Sequence, residues 1–325
     1  MNIIPKNRIV ELLNNSEGKK IAIVGDIMLD RYFWGTVSRI SPEAPVPIID
    51  VETESFHLGG AANVAHNLKS LGIEPILCGV LGNDNSGKIF SNIADELGIK
   101  SDYMILDDMR PTTVKTRIIG NNQHIVRLDR EVKDDIGYDS EEKLLEILKN
   151  IDSLAGIILQ DYNKGCITSR LIDLVINLGK DNNIPVFVDP KHHNFFNYKN
   201  VTLFKPNKKE ASNALNRSFK SKEDVKEAGF QLLEKLKCKN VLITLGAEGM
   251  MLFESNGEIT SIATRARNVA DVSGAGDTVI ATLACFYVAG ASIKESAIIS
   301  NYASGIVCEE PGIVSITKNN LINSF

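Results

Sequence analysis

Short apolar runs rich in β-branched residues alternate with amphipathic segments along most of this 325-residue chain. Such runs are typical of strands that are buried on both faces, and the segments between them place apolar residues at helical spacing. The runs predict strands at residues 20–24, 75–80, 156–159, 186–188, 202–204 and 241–244. The segments between predict helices at residues 61–71, 86–97, 140–151, 169–180 and 222–236. This alternation predicts an α/β fold with a doubly wound, mostly parallel sheet that is flanked by helices.

Two segments break the alternation and predict a small β-lid on the α/β body. Residues 33–58 contain three prolines followed by alternating polar and apolar residues, and residues 110–130 alternate around a turn at Asn121 and Asn122. A protruding sheet leaves an apolar face uncovered, so we expect a homodimer contact through the lid. An edge extension of the main sheet is the alternative.

Charge and cysteine content argue against a nucleic-acid-binding, disulfide-bonded or zinc-binding protein. The net charge of -5 and the pI of about 5.7 give no global basic field for nucleic acid or anionic lipid. The five cysteines are scattered, without a C-x-x-C motif, which favours buried thiols in a reducing compartment over disulfides or zinc. The apolar run at residues 279–288 is too short to span a bilayer and predicts a buried central helix. We therefore expect a cytoplasmic protein without a nucleic-acid or membrane partner.

The strongest chemical signal is residues 271–278, which read DVSGAGDT. Gly274, Ala275 and Gly276 directly precede Asp277 at the start of the apolar run, so backbone N–H groups at a helix N-terminus are left bare for an anion. An acid beside an anion site is unfavourable unless it has a task. Asp277 could take a proton from a hydroxyl while the turn stabilises a transferring phosphoryl group. A glycine turn with Asp277 as a helix cap is the alternative.

Further polar groups follow other predicted strands, at the edge where α/β sheets bind ligands. Gly59 and Gly60 allow close backbone approach of a ligand, and the amide of Asn63 can donate to and accept from a sugar hydroxyl. A plain glycine turn with a helix cap explains the same residues. Asp30 is a candidate sugar ligand, whereas Asp26 is interpreted as a turn residue.

Two more groups fit a nucleotide and its metal. Asn207 and Glu210 share one helix face and could hold Mg²⁺ through water, or they could form a capping box. The turn that contains Thr244, Gly246 and Gly249 fits the phosphates or ribose of a nucleotide, or a β-hairpin.

Several cations could meet a substrate that is already phosphorylated, although each alone is more often a solvated surface charge. These are Lys115, Arg117, Arg127, Lys164 and Lys191. Residues 82–89 (GNDNSGKI) do not form a P-loop motif, because Ile89 stands where Ser or Thr would hold magnesium. No role is assigned to His192 and His193.

Together these motifs resemble those of the ribokinase, or PfkB, family of carbohydrate kinases. Residues 59–65 (GGAANVA), 207–210 (NKKE) and 271–278 are similar to three family motifs and occur in the family order. The resemblance implies that residues 1–325 form one ribokinase-like kinase domain with an inserted β-lid, which uses ATP and Mg²⁺ to phosphorylate a sugar.

The resemblance also implies roles for single residues. Asp277 would be the base, with Gly274, Ala275 and Gly276 as the anion hole for the γ-phosphate. Sugar and sugar-phosphate binding would fall to Asp30, Gly59, Gly60, Asn63, Lys115, Arg117, Arg127 and Lys164. Nucleotide binding would fall to Asn207, Glu210, Thr244, Gly246, Gly249 and Asn301, with Glu210 reaching magnesium through water and adenine near residues 270–272.

Residues 25–32, 38–47, 110–117 and 189–191 resemble the branch of the family that phosphorylates O1 of D-glycero-β-D-manno-heptose 7-phosphate. That branch implies a place in ADP-heptose and lipopolysaccharide core synthesis, with a separate or fused nucleotidyltransferase as partner. The chain departs from the family at Ser273, where Thr is usual, and at Gln160, where a small residue is expected. A kinase for ribose, fructose or a ketohexose phosphate, or a catalytically idle sugar-binding regulator, are the alternatives.

Overall fold

The computed structural model describes residues 4–265, 269–310 and 312–325. Its strands are β1 (Lys20–Gly25), β2 (Ile27–Ile40), β3 (Pro47–Gly60), β4 (Glu74–Gly82), β5 (Met104–Asp107), β6 (Thr113–Gly120), β7 (Gln123–Arg130), β8 (Leu154–Gln160), β9 (Val186–Asp189), β10 (Leu203–Phe204), β11 (Asn240–Thr244), β12 (Met250–Glu254) and β13 (Ile259–Ile262). Its helices are α1 (Lys6–Ser16), α2 (Ala61–Ser70), α3 (Asn85–Glu96), α4 (Tyr138–Lys149), α5 (Ser169–Asp181), α6 (Lys208–Ala214), α7 (Lys222–Leu236), α8 (Ala275–Val288), α9 (Ile293–Cys308) and α10 (Lys318–Asn323). Short 3₁₀ turns lie at Ser101–Tyr103 and Gly246–Glu248.

The main sheet is mostly parallel. Its order is β13-β12-β11-β10-β9-β8-β1-β4-β5, and each neighbouring pair from β11 to β5 is parallel. Strands β12 and β13 add antiparallel partners at one edge. The α/β fold and the mostly parallel sheet predicted from the alternation are therefore confirmed.

Helices cover both faces of this sheet, as the residues of β1 show. Ile21 and Ile23 pack into one core, which includes residues of α1, α2, α8 and α9, whereas Ala22 and Val24 pack into a second core with α4, α5 and α7. Fully burying one such aliphatic side chain contributes about 1.5–3 kcal/mol. Helix α8 is buried along most of its length, because it lies between the sheet and α9. The prediction of a buried central helix is confirmed.

The lid is a separate four-stranded sheet of order β3-β2-β6-β7. The alternative of an edge extension is wrong, because these strands pair with one another and not with the main sheet. The lid also begins earlier than predicted, at Ile27 rather than at residue 33, since Ile27 and Leu29 already belong to β2 while they pack into the core of the body. Every residue of β7 is exposed.

Some elements gave no clear signal in the sequence. Helix α1 buries Ile9, Leu12 and Leu13, but its polar residues obscure the periodicity. Strand β5 has four residues with a single buried position, Ile105, and is too short for a periodic pattern. No helix in the described ranges is both long and apolar enough to span a bilayer.

Candidate active site

Asp277 lies in the first turn of α8, next to the carboxyl ends of β8 and β9. The chain enters α8 through Gly274, whose φ of 78° is in the left-handed region that favours glycine. A Cβ at this position would lie 2.8 Å from Nδ2 of Asn63. Glycine is therefore required here by both conformation and space, and it lets α2 and α8 approach closely enough to share polar contacts.

Three side chains donate hydrogen bonds to the carboxylate of Asp277, which is only 4% exposed. Oδ1 accepts from Nε2 of Gln160 at 3.0 Å and from the hydroxyl of Tyr162 at 2.7 Å, and Oδ2 accepts from Nδ2 of Asn63 at 2.8 Å. Burial raises the pKa of Asp277 to about 6, against the opposing effect of the donors from Tyr162 and Asn63. A carboxylate with that pKa is ionised at neutral pH and can accept a proton.

A buried ion pair lies beside the glycine turn. Nζ of Lys205 is 3.0 Å from Oδ2 of Asp189, and both side chains are less than 10% exposed. A Cβ placed on Gly276 would be 3.7 Å from that ammonium. The backbone N–H of Ala275 donates to the carbonyl of Val272 over 3.3 Å, so Gly274 and Gly276 are the better candidates to meet an anion at this turn. Such an anion would also be within reach of Lys205, which supplies a full positive charge.

The lid brings Asp30 to the rim of the same site. Asp30 is buried on β2 and forms an ion pair with Arg117 of β6. Gly59, on the neighbouring strand β3, leaves space for it, since a Cβ there would lie 2.3 Å from Oδ2 of Asp30. Gly60 is the N-cap residue of α2. The amide nitrogen of Asn63 donates a hydrogen bond to Asp277. In this structure the side chain therefore holds the candidate base, whereas the sequence predicted that it would bind a sugar hydroxyl.

Two cations flank the ring of Tyr162. Nζ of Lys115 lies 5.8 Å and Nζ of Lys191 lies 5.3 Å from the ring centroid. Burial is the largest effect on the pKa of Lys115, which is lowered, and the charge of Lys164 acts in the same direction. Since the hydroxyl of Tyr162 donates to Asp277, the two ammonium groups lie near the candidate base, and Lys115 reaches it from strand β6 of the lid.

Two predicted substrate cations are engaged elsewhere. Lys164 forms an ion pair of 2.7 Å with Glu131. Arg127 is the cross-strand neighbour of Arg117, but its guanidinium forms two hydrogen bonds of 2.9 Å with Asp129. Of these cations, Lys115 contacts the ring of Tyr162 and Arg117 pairs with Asp30, whereas Lys164 and Arg127 are paired with Glu131 and Asp129.

Asn207 and Glu210 form a capping box at the start of α6, the alternative that the sequence left open. Glu210 also pairs with Lys191. Within the described ranges, no group of three or more His, Cys, Asp or Glu side chains could hold a metal ion. Glu210 and Asn207 alone would therefore offer few ligands. They fit a magnesium ion that is bound mainly by phosphates and water with one or two carboxylates, the usual arrangement in kinases.

A pocket of about 270 Å³ adjoins the glycine turn. Its lining includes the predicted residues Thr244, Gly246, Gly249 and Asn301, together with Ala275 and Gly276. Val269, Val272, Met250, Val279 and Cys308 add an apolar wall. The 3₁₀ turn at Gly246–Glu248 joins the antiparallel strands β11 and β12, so the hairpin and the pocket coexist. An apolar slot beside an anion turn suits a flat base attached to phosphates.

A larger cleft of about 750 Å³ lies between α4 and β5, away from this site. It is lined in part by Lys20, at the opposite end of β1.

The loop after β8 contains contacts that sequence reasoning missed. The buried carboxylate of Asp26 accepts backbone hydrogen bonds from Tyr162, Lys164 and Cys166, which extends its interpretation as a turn residue. The hydroxyl of Tyr198 donates to Asp161 over 2.7 Å. These contacts fix the loop so that Tyr162 faces Asp277.

Gln160, Tyr162, Asp189 and Lys205 were not among the predicted site residues. Asp189 and Lys205 each end or follow a buried strand, where a charged residue needs a partner, and that position was an available signal. In the sequence, Gln160 stands out only as a departure from a family pattern.

A model of the pfkB family of carbohydrate kinases matches residues 18–319. The protein named "Bifunctional protein HldE" of Nitratiruptor sp. is 42% identical over 303 residues, which are 93% of this chain and 64% of that relative. The protein of the same name from Helicobacter pylori is 40% identical over 295 residues, 90% of this chain and 64% of the relative. The chain therefore spans less than two thirds of the length of these relatives.

Solved structures share the fold at low identity. Phosphofructokinase-2 from Escherichia coli, in complex with potassium, has a TM-score of 0.79 and 18% identity, covering 94% of this chain and 97% of that one. Arabidopsis thaliana ribokinase, complexed with ribose and ATP, has a TM-score of 0.75 and 22% identity, covering 95% of this chain and 98% of that one. The ribokinase-like fold is thus confirmed.

Proposed function

The chain belongs to the pfkB family of carbohydrate kinases, and we propose that it transfers the γ-phosphoryl group of Mg-ATP to O1 of D-glycero-β-D-manno-heptose 7-phosphate. The observation that carries the chemistry is the placement of Asp277, a buried carboxylate in the first turn of α8 beside the glycine turn and Lys205. The relatives named HldE and the segments that resemble heptose kinases support the choice of sugar.

In this proposal Asp277 accepts the proton of the sugar O1 hydroxyl as that oxygen attacks the γ-phosphorus. The new O1–P bond forms while the bond from the γ-phosphorus to its bridging oxygen breaks, and ADP leaves with the electron pair. The N–H groups of Gly274 and Gly276, together with Lys205, stabilise the charge on the transferring group, whereas the N–H of Ala275 donates to the carbonyl of Val272. Glu210 and Asn207 would face magnesium through water, and the ion would neutralise phosphate charge when bound.

A phosphate on the distal end of the sugar requires a cation near the lid. Lys115 is suited to this task, because it forms no ion pair with the described carboxylates, although Asp30, Asp129 and Glu131 act on it electrostatically. Arg117 is a second candidate, with Asp30 holding its guanidinium in place. Asp30 and the backbone at Gly59 and Gly60 would then contact sugar hydroxyls.

Two partner proposals accompany this function. The curated relatives are bifunctional by name and longer than this chain, so we propose that a nucleotidyltransferase acts with the kinase, either fused to it or as a separate protein. The exposed strand β7, with Ile125, Val126 and Leu128 uncovered, supports a homodimer through the lid.

The test is ADP release from Mg-ATP with heptose 7-phosphate, run beside ribose, fructose and fructose 6-phosphate. We expect turnover with the heptose phosphate alone. Turnover with another sugar instead would overturn the substrate while leaving the role of Asp277 intact. Absence of ADP release with every sugar would favour a sugar-binding regulator or an activity that needs the partner domain.

A further inference from the structure

Gln160 is the last residue of β8 and is 1% exposed. Its amide nitrogen lies between two carboxylates, at 3.0 Å from Oδ1 of Asp277 and 3.2 Å from Oδ2 of Asp189. Asp189 is in turn paired with Lys205. A small residue at position 160 could not span these distances, so the link between the two carboxylates depends on the length of the Gln160 side chain.

The donors around Asp277 are distributed unequally between its two oxygens. Each carboxylate oxygen has two lone pairs. Oδ1 receives two hydrogen bonds, from Gln160 and Tyr162, whereas Oδ2 receives one, from Asn63. Within the contacts of the described residues, Oδ2 therefore keeps one lone pair for a further donor, and Oδ1 keeps none.

We propose that Gln160 and Tyr162 are positioning residues that fill Oδ1 of Asp277 and so present the remaining lone pair of Oδ2 to the substrate hydroxyl. The inference rests on the proposed role of Asp277 as the base. It does not depend on which sugar is phosphorylated.

The orientation of the Gln160 amide is determined by its neighbours. Its nitrogen is the only side-chain atom that can donate, and it faces two acids, so the reversed amide would place its oxygen against them. Oε1 is buried and has no hydrogen-bond partner in the described part of the chain. An unpaired buried oxygen costs stability. A side chain kept at this cost fits a role in the site better than a role in stability alone.

Three variants separate the contributions. Gln160→Ser removes the amide and introduces a small residue, and Tyr162→Phe removes one hydroxyl but keeps the ring beside Lys115 and Lys191. Gln231→Leu, on α7 and outside the site, is the matched control for loss of a glutamine. Binding of an ATP analogue checks that each variant is folded.

The first readout is the pH dependence of kcat/KM with the sugar that supports turnover. Donors to the ionised form lower a pKa, so their removal raises the pKa of Asp277 and moves the acid limb to higher pH. We expect a shift of about one to two pH units for Gln160→Ser and for Tyr162→Phe, since each variant removes one hydrogen bond to the ionised carboxylate. Gln231→Leu should show no shift.

The second readout needs no substrate. The titration of Asp277 is followed by ¹³C NMR of Asp-labelled protein, with Asp277→Asn to assign its signal, and the same upward shift is expected. An unchanged titration and an unchanged acid limb in both site variants would overturn the inference, even if turnover fell equally at every pH. Failure of the proposed function would appear separately, as wild-type protein that turns over no sugar.

Discussion

The side-chain amide of Asn63 donates a hydrogen bond of 2.8 Å to Oδ2 of Asp277, although 214 residues separate the two in the chain. A second contact strengthens this link between α2 and α8, because the hydroxyl of Thr278 donates to Oδ1 of Asn67 over 3.1 Å. The helix that begins at the first glycine-rich motif thus also holds the candidate base.

Replacement of Asn63 should weaken turnover without unfolding the protein. Asn63→Ala removes the donor to Oδ2 while Gln160 and Tyr162 still hold Oδ1, so the orientation of the reactive oxygen is less well fixed and we expect kcat to fall about ten- to a hundredfold. Steady-state ADP release checks this, with the exposed Asn92→Ala as control. A kcat within twofold of wild type would contradict the holding role of Asn63.

Asp277→Asn should lose most turnover while nucleotide binding remains. General-base catalysis contributes about 10²–10⁴-fold, and the amide cannot accept the proton of a hydroxyl. Single-turnover kinetics and calorimetric titration with an ATP analogue measure the two properties. Asp173→Asn, at an exposed position of α5, is the matched control. Near-normal turnover of Asp277→Asn would rule out the assignment of the base.

The same variant should change how stability depends on pH. The pKa of Asp277 is raised from 3.8 to about 6 by burial, so between these values the folded state binds more protons than the unfolded state. Stability that depends on this group therefore falls as the pH rises from about 4 to 7, by about 3 kcal/mol at most.

Urea unfolding of both proteins at pH 4 and pH 7 measures this effect. Relative to Asp277→Asn, the wild type should lose free energy of unfolding over that interval. Asp161, whose pKa is also raised to about 6 by burial, is present in both proteins and cancels in the difference. A difference that stays constant with pH would show that Asp277 is not destabilised by burial.

Lys115→Ala should raise the KM for a phosphorylated sugar more than it lowers kcat. Loss of a charge-assisted hydrogen bond to phosphate corresponds to about a ten- to hundredfold increase in KM. Arg127→Ala provides the comparison, because its guanidinium is occupied by Asp129. A larger effect of Arg127→Ala would move the distal phosphate to the outer strand of the lid.

Leu128→Glu should dissociate the proposed homodimer. Leu128 is 55% exposed on β7, and a charge there would be buried without a partner if a second lid covers the strand. Sedimentation velocity should show a shift to monomer for this variant and no shift for Leu106→Glu, which is exposed on the edge strand β5. A monomeric wild type would exclude the dimer.

The local signals in the sequence were sufficient for the layers of the fold. Runs such as residues 20–24 are apolar on both faces, which requires helices on both sides of a sheet. A run of a few residues is enough to show this pattern. The motif at residues 271–278 likewise predicted a glycine turn at a helix start, because only small residues leave the backbone bare there.

Tertiary structure alone decided which side chains meet. Gln160 and Tyr162 lie at the end of β8 and in the loop after it, whereas Asn63 lies in α2, and nothing in their local sequence indicates that all three donate to Asp277. The pairing of Arg117 with Asp30, and the occupation of Arg127 by Asp129, likewise follow from strand register in the lid. Backbone patterns are fixed by short-range sterics and burial, whereas the hydrogen bonds of a buried carboxylate depend on how distant elements pack.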